Sequence, residues 1–211
     1  MFDKAGKLLY LVADEQVKNS DIDLAQIVDL AIRGGVDIVQ YRNKIDSYDD
    51  FVSKARIIRD ICYKYSVPFV INDNLEVALA LQADGLHVGQ GDMPLPEVRK
   101  RFSGILGYSV KTPDQAVYGQ ENSADYLGAG TVFSTASKAD AGYAIGTEGL
   151  KSIVEVSTVP VFAIGGINLS NVAEVVATGV KGIAVISAIT LQDNPFLAAR
   201  DLKHAMNMDF K

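Results

Sequence analysis

Val36–Ile71 reads VDIVQYRNKIDSYDDFVSKARIIRDICYKYSVPFVI. Its two ends, Val36 to Tyr41 and Pro68 to Ile71, are short apolar runs of the kind that form buried strands. Between them Phe51, Ala55, Ile58, Cys62 and Tyr65 recur at helical spacing, with Ser47 and Asp50 placed as a start signal. A strand, a crossover helix and a second strand make one parallel βαβ unit. The apolar stripe of that helix should pack on the outside of the sheet.

The same alternation runs along the chain in both directions. The further strand-like runs are Leu8 to Ala13, Gly85 to Val88, Ile105 to Tyr108, Tyr126 to Ala129, Val161 to Ile164 and Ile183 to Ile186, which makes eight in all. Eight is the number that closes a barrel. Leu24, Ile27, Val28 and Ala31 form a second helical stripe stopped by Gly34 and Gly35, and Val172, Val175 and Val176 a third stopped by Gly179. No linker or low-complexity tract divides the chain. The expectation is an α/β protein, a single (β/α)8 TIM barrel domain spanning residues 1–211. A doubly wound open sheet would carry a glycine-rich turn after its first strand, whereas Asp14, Glu15 and Gln16 follow here.

Composition narrows the class further. With 211 residues and 48% hydrophobic content the chain can bury one barrel-sized core. Twenty Lys and Arg against 26 Asp and Glu leave a net charge of -6, which argues against nucleic acid or an anionic membrane as a partner. Any anion site must be local. Cys62 is the one cysteine, so no intrachain disulfide forms and a cytoplasmic protein is expected. The first apolar run is too short for a signal peptide or a membrane span.

The unusual polar residues fall just after the strands, at the face where barrels assemble their sites. Gln40, Arg42 and Lys44 have a period of two, which points all three side chains into the barrel mouth and suggests a bound polyanion. Ordinary surface charge is the plainer alternative. Asp73 and Asp92 arrive from adjacent strands and suit one magnesium ion, which prefers oxygen ligands and keeps water and phosphate in its shell. Taken singly, each Asp would instead be a helix cap. Ser109 and Lys111 follow the fifth strand. The long segment Gly130 to Gly146 supplies hydroxyls and Lys138, and its tail is expected to act as a lid. Gly165 and Gly166 end the seventh strand and Ser187 the eighth, where backbone N–H groups commonly hold phosphate, although a tight turn explains the glycines equally well. Of the two histidines, His87 falls in a buried strand pattern and His204 on a polar helix face. Neither belongs to a zinc or hydrolase motif.

Six ordered motifs carry a resemblance to the thiamine phosphate synthase family along nearly the whole chain. They are QYRNK at Gln40 to Lys44, IND at Ile71 to Asp73, LHVGQGD at Leu86 to Asp92, STASK at Ser134 to Lys138, AIGGI at Ala163 to Ile167 and VISAI at Val185 to Ile189. The resemblance implies a transferase that joins a hydroxymethylpyrimidine diphosphate to a hydroxyethylthiazole phosphate. By position it implies that Gln40, Tyr41, Arg42, Asn43, Lys44, Asn72, Ser109 and Lys138 bind the pyrimidine diphosphate, with Arg42, Lys44 and Lys138 catalytic. It implies Thr135, Ala136, Ser137, Gly166, Ile186 and Ser187 for the thiazole phosphate, and Asp73 and Asp92 as ligands of Mg2+. A homodimer rests on the resemblance alone. Ser134 stands where the family commonly has Pro, Ser137 where it has Thr and Lys111 where it often has His.

Two other readings compete. A thiazole tautomerase on the same barrel would not need the diphosphate machinery, and the joint presence of Lys44, Asn72, Asp73 and Asp92 speaks against it. A noncatalytic sensor of phosphorylated ligands would bind without turnover, since a fold does not establish catalysis.

Overall fold

A computed structural model describes residues 2, 6–135, 137 and 143–208. In it the eight expected runs close into a parallel barrel in sequence order, β1 Leu8–Asp14, β2 Ile38–Arg42, β3 Phe69–Asn72, β4 Gly85–Val88, β5 Ile105–Val110, β6 Tyr126–Gly130, β7 Val161–Ile164 and β8 Gly182–Val185. Strand β1 pairs with both β2 and β8, which leaves no sheet edge open to another chain.

Helices α1 Leu24–Arg33, α2 Tyr48–Lys64, α3 Leu75–Ala80, α4 Leu95–Arg101, α5 Pro113–Glu121, α6 Gly146–Val156, α7 Val172–Ala177, α8 Ser187–Thr190 and α9 Pro195–Met206 surround it. Local chemistry starts them. Ser47 accepts a hydrogen bond from Asp50 N at the head of α2, and Asp23, Asn74, Thr112 and Asn194 cap α1, α3, α5 and α9 in the same way. The expected stripes face inward: Phe51, Ala55, Ile58 and Cys62 of α2 and Leu24, Ile27, Val28 and Ala31 of α1 are buried against the outer faces of the strands.

Two apolar layers result, as period-two strands demand. The larger lies between strands and helices. The smaller fills the barrel itself with Leu8, Tyr10, Val12, Ile38, Val70, Tyr126, Phe162, Ala184 and Ile186. The phenol of Tyr10 and the rings of Tyr126 and Phe162 meet edge-on or tilted at centroid separations of 5.6–6.0 Å.

The strand boundaries shift in one direction. Val36, Asp37 and Pro68 fall outside the strands, whereas Asp14, Arg42 and Asn72 fall within them. Apolarity is not what keeps a residue in a parallel ladder. Asp14 pairs in register with Arg42 and Asn72 with His87, so these polar side chains end rows whose lower members are apolar. Asp37 serves the opposite end of the barrel, accepting from Leu9 N and pairing with Lys203.

Candidate active site

The C-terminal ends of the strands enclose a cavity of about 430 Å³. Arg42, Lys44, Asn72, Asp73, Asp92, Ser109 and Lys111 line one side, and Thr131, Thr135, Ser137, Gly165, Gly166, Ile186 and Ser187 line the other. Polar and charged groups therefore converge on one void, while the barrel below it is packed with aromatic and aliphatic side chains.

On the charged side each cation has a carboxylate partner. Arg42 Nη1 donates to Asp14 Oδ2 at 2.5 Å, and Lys44 is ion-paired with Asp73. Asp92 Oδ2 accepts from Gly89 N at 2.7 Å. Partial burial pushes the Asp92 carboxyl above the ordinary carboxylate range, the Gly89 N–H opposes that, and the nearby Asp73 carboxylate adds to the rise. Neither Asp is the helix cap considered above. Asn74 caps α3 through Val77 N, and α4 begins at Pro94 with no side-chain cap.

The other side is built for an anion of different size. Ser137 Oγ donates to Ser187 Oγ at 3.0 Å, joining the segment after β6 to the start of α8, and Ser137 N donates to Thr135 Oγ1. Gly165 and Gly166 adopt φ of +106° and +67°, a region that disfavours side chains. A Cβ on Gly166 would lie 2.8 Å from Phe133 Cβ and 2.9 Å from Ser134 O, so the two glycines let the segments after β6 and β7 close against each other.

Other expected residues sit elsewhere. Gln40 points into the barrel one layer below the cavity, where it is buried and donates from Nε2 to Tyr10 Oη at 2.9 Å. Tyr41 and Asn43 alternate to the outer face: Tyr41 Oη donates to Glu15 Oε1, and Asn43 Nδ2 reaches Asp46 at 2.7 Å. The cavity lining contains none of these three. Ala136, Lys138 and the tail of the expected lid, residues 139–142, lie outside the described residues. His87 is part-buried in the barrel, bonded to Tyr126 and Ser109, and His204 is exposed on α9.

Sequence reasoning missed Asp14, wholly buried beneath Arg42. It continues the inward row of Tyr10 and Val12 at a period of two, a signal obscured because its charge marked the end of the apolar run. Gly128, Gly130 and Thr131 of β6 and its exit also line the cavity without having been singled out. Lys111 lies across it with Nζ 5.6 Å from the centroid of the Tyr143 ring.

Residues 9–189 match a family model described as thiamine monophosphate synthase. The chain belongs to the thiamine monophosphate synthase family. A thiamine-phosphate synthase of Clostridium novyi is 45% identical over 188 residues, covering 88% of this chain and 92% of that protein. One from Archaeoglobus fulgidus is 45% identical over 194 residues, with 92% and 90% covered. A solved thiamine phosphate pyrophosphorylase from Pyrococcus furiosus superposes with a TM-score of 0.87 at 37% identity, over 94% of this chain and 95% of that one. Each of the six motifs that resemble the thiamine phosphate synthases contributes residues to the same cavity lining.

Proposed function

We propose that this protein is a thiamine-phosphate synthase, joining 4-amino-2-methyl-5-hydroxymethylpyrimidine diphosphate to hydroxyethylthiazole phosphate and forming thiamine phosphate and diphosphate. The observation that carries this reading is the convergence of two paired cations, two carboxylates and a glycine and serine cradle on one cavity. Membership of the family supports it.

The chemistry asks little of the protein in proton transfer. The bond between the pyrimidine's methylene carbon and the diphosphate oxygen breaks, and its electron pair leaves with diphosphate. The thiazole nitrogen then supplies its lone pair to that carbon, and no proton has to move for the new bond to form. What the site must do is stabilise departing negative charge. Arg42 is suited to this because Asp14 holds its guanidinium in place before any ligand arrives. Lys44 brings a second positive charge to the same side. Asn72 and Ser109 offer polar groups there, and Lys138 joins this set by resemblance.

Ser137, Ser187 and the open backbone at Gly166 suit a phosphomonoester, with Thr135 and Ile186 beside them and Ala136 assigned by resemblance. Holding that phosphate fixes where the thiazole ring can lie and helps to exclude water from the carbocation.

Asp73 and Asp92 would hold magnesium. Both supply oxygen, and the repulsion that raises Asp92's affinity for a proton is one that a dication relieves. Among the described residues no three His, Cys, Asp or Glu side chains cluster, which fits an ion completed by water and substrate oxygens. When bound, the ion would supply positive charge against the leaving diphosphate.

The same reading makes residues 1–211 one domain of a cytoplasmic enzyme acting on small phosphorylated molecules, with a homodimer as its assembly. None of the described helices is long and apolar enough to cross a membrane. The deciding experiment supplies both substrates to purified protein with and without magnesium and follows both products. Equal appearance of thiamine phosphate and diphosphate supports the synthase. Tight binding with no product would overturn it in favour of a sensor.

A further inference from the structure

Below the cavity a chain of hydrogen bonds crosses the barrel interior. Gln40 Nε2 lies 2.9 Å from Tyr10 Oη, which lies 2.8 Å from Tyr126 Oη. Tyr126 Oη lies 3.0 Å from His87 Nδ1, and His87 Nε2 lies 2.9 Å from Ser109 Oγ. The five residues come from β2, β1, β6, β4 and β5, so only closure of the barrel brings them together. Ser109 alone among them lines the cavity.

Two strand positions are reduced to glycine around this chain. A Cβ on Gly107 would lie 2.2 Å from Tyr126 Cζ and 2.4 Å from His87 Nδ1, and one on Gly128 would lie 2.9 Å from His87 Cε1. Both glycines occupy inward registers, opposite Tyr126 and Ser109 respectively. The space they vacate is filled by the two rings.

The chain has a direction. An amide N–H can only donate, so Tyr10 Oη accepts from Gln40. The hydrogen of Tyr10, buried inside the barrel, then goes to Tyr126 Oη. Tyr126 in turn donates to His87 Nδ1, which must be the unprotonated ring nitrogen. His87 Nε2–H is left to donate to Ser109 Oγ, and the hydroxyl hydrogen of Ser109 is directed to the cavity. The opposite order would give Tyr10 two donors and leave its own buried O–H without an acceptor, which a low-dielectric interior penalises.

We infer that His87 is a positioning residue: the chain from Gln40 through Tyr10 and Tyr126 locks its Nε2–H tautomer and so presents Ser109 to the ligand as a hydrogen-bond donor. The site thereby selects an acceptor atom, such as a phosphate oxygen or an aromatic ring nitrogen, at that point of the cavity. The kinetic part of this inference rests on the synthase reading, whereas the tautomer does not depend on any activity.

The test is the ¹⁵N spectrum of the imidazole rings in the labelled protein. His204→Ala removes the other histidine of the chain and leaves His87 as the sole signal. The expected result is a proton on Nε2 and none on Nδ1. Gln40→Glu places a carboxylate, which only accepts, at the head of the chain, and should move the proton to Nδ1. Tyr10→Phe cuts the chain while keeping the ring, and should give a mixture of tautomers. Under the synthase reading Tyr126→Phe should lower kcat by roughly tenfold, the scale of one hydrogen bond, with little change in KM for the thiazole phosphate. A wild-type proton on Nδ1, or a tautomer indifferent to both Gln40→Glu and Tyr10→Phe, would overturn the inference even in an active enzyme. An inactive protein with the expected tautomers would sink the synthase reading and leave this one standing.

Discussion

Arg42 and Asp14 face each other across the β1–β2 ladder, in direct register, with side-chain exposures of 10% and 0%. Their ion pair closes the top of the barrel interior and forms part of the cavity's charged wall. A guanidinium so held has lost its freedom before a ligand arrives, which is what preorganised stabilisation of a leaving anion requires.

Removing the carboxylate should therefore damage both stability and turnover. Asp14→Ala leaves a nearly buried cation without its partner and is expected to cost about 3–5 kcal/mol. Urea unfolding would measure this. Arg42→Ala should slow product formation by roughly 10² to 10³ if the guanidinium acts as a preorganised charge stabiliser. An unfolding midpoint for Asp14→Ala equal to wild type would show that Arg42 reaches solvent instead.

The Asp73 and Asp92 pair should register in the pH dependence of the metal-free protein. Asp92's carboxyl lies above its ordinary range when folded, so between the ordinary value and the raised one the native state holds more protons than the unfolded state. Stability contributed by this group falls as pH rises through that window. Asp92→Asn should flatten the slope and make the metal-free protein more stable at neutral pH, while raising the magnesium concentration needed for activity. Thermal unfolding from acid to neutral pH, with and without magnesium, checks both, and an unchanged metal response would remove Asp92 from the ligand set.

Gly107→Ala tests the packing inside the barrel. The added methyl would stand 2.2 Å from Tyr126 Cζ with no open space beside it. Overpacking of this kind costs about 1–3 kcal/mol or more. Equilibrium unfolding should show the loss, and an unperturbed midpoint would mean that the aromatic cluster can move aside.

Cys62 offers a control remote from the chemistry. It is buried under α2, and burial, with Asp84 adding to it, pushes its thiol pKa up, so it should resist alkylation in the folded protein. Cys62→Ser buries a hydroxyl in an apolar site and should destabilise by about 1–3 kcal/mol while leaving kcat unchanged. Chemical denaturation and the coupled product assay separate the two effects. Lost turnover in a folded variant would tie α2 to the active site.

Much of the architecture was legible because it depends on local periodicity. Alternating strand and helix stripes announced eight βα units, and cap residues such as Ser47 and stop residues such as Gly34 marked helix ends. Strand ends were less legible, since Asp14, Arg42 and Asn72 remain in the ladder despite their polarity. The positions of Lys44, Asp73, Asp92 and Ser187 around one cavity were anticipated from their places after strands. Tyr41 and Asn43, placed with them by motif, alternate to the other face because a strand turns successive side chains to opposite sides.

The sequence by itself determined the order of strands and helices and the set of strand-end groups that meet at the barrel mouth. These follow from residue period and from the rule that a closed parallel barrel collects all its strand ends on one face. Only the tertiary structure decided which charge pairs with which, that Asp14 lies under Arg42 and Asp73 beside Lys44, and that Gln40 is linked through Tyr10, Tyr126 and His87 to Ser109. Such partners come from different strands and depend on register and closure, and no local pattern in the chain encodes the distance between them.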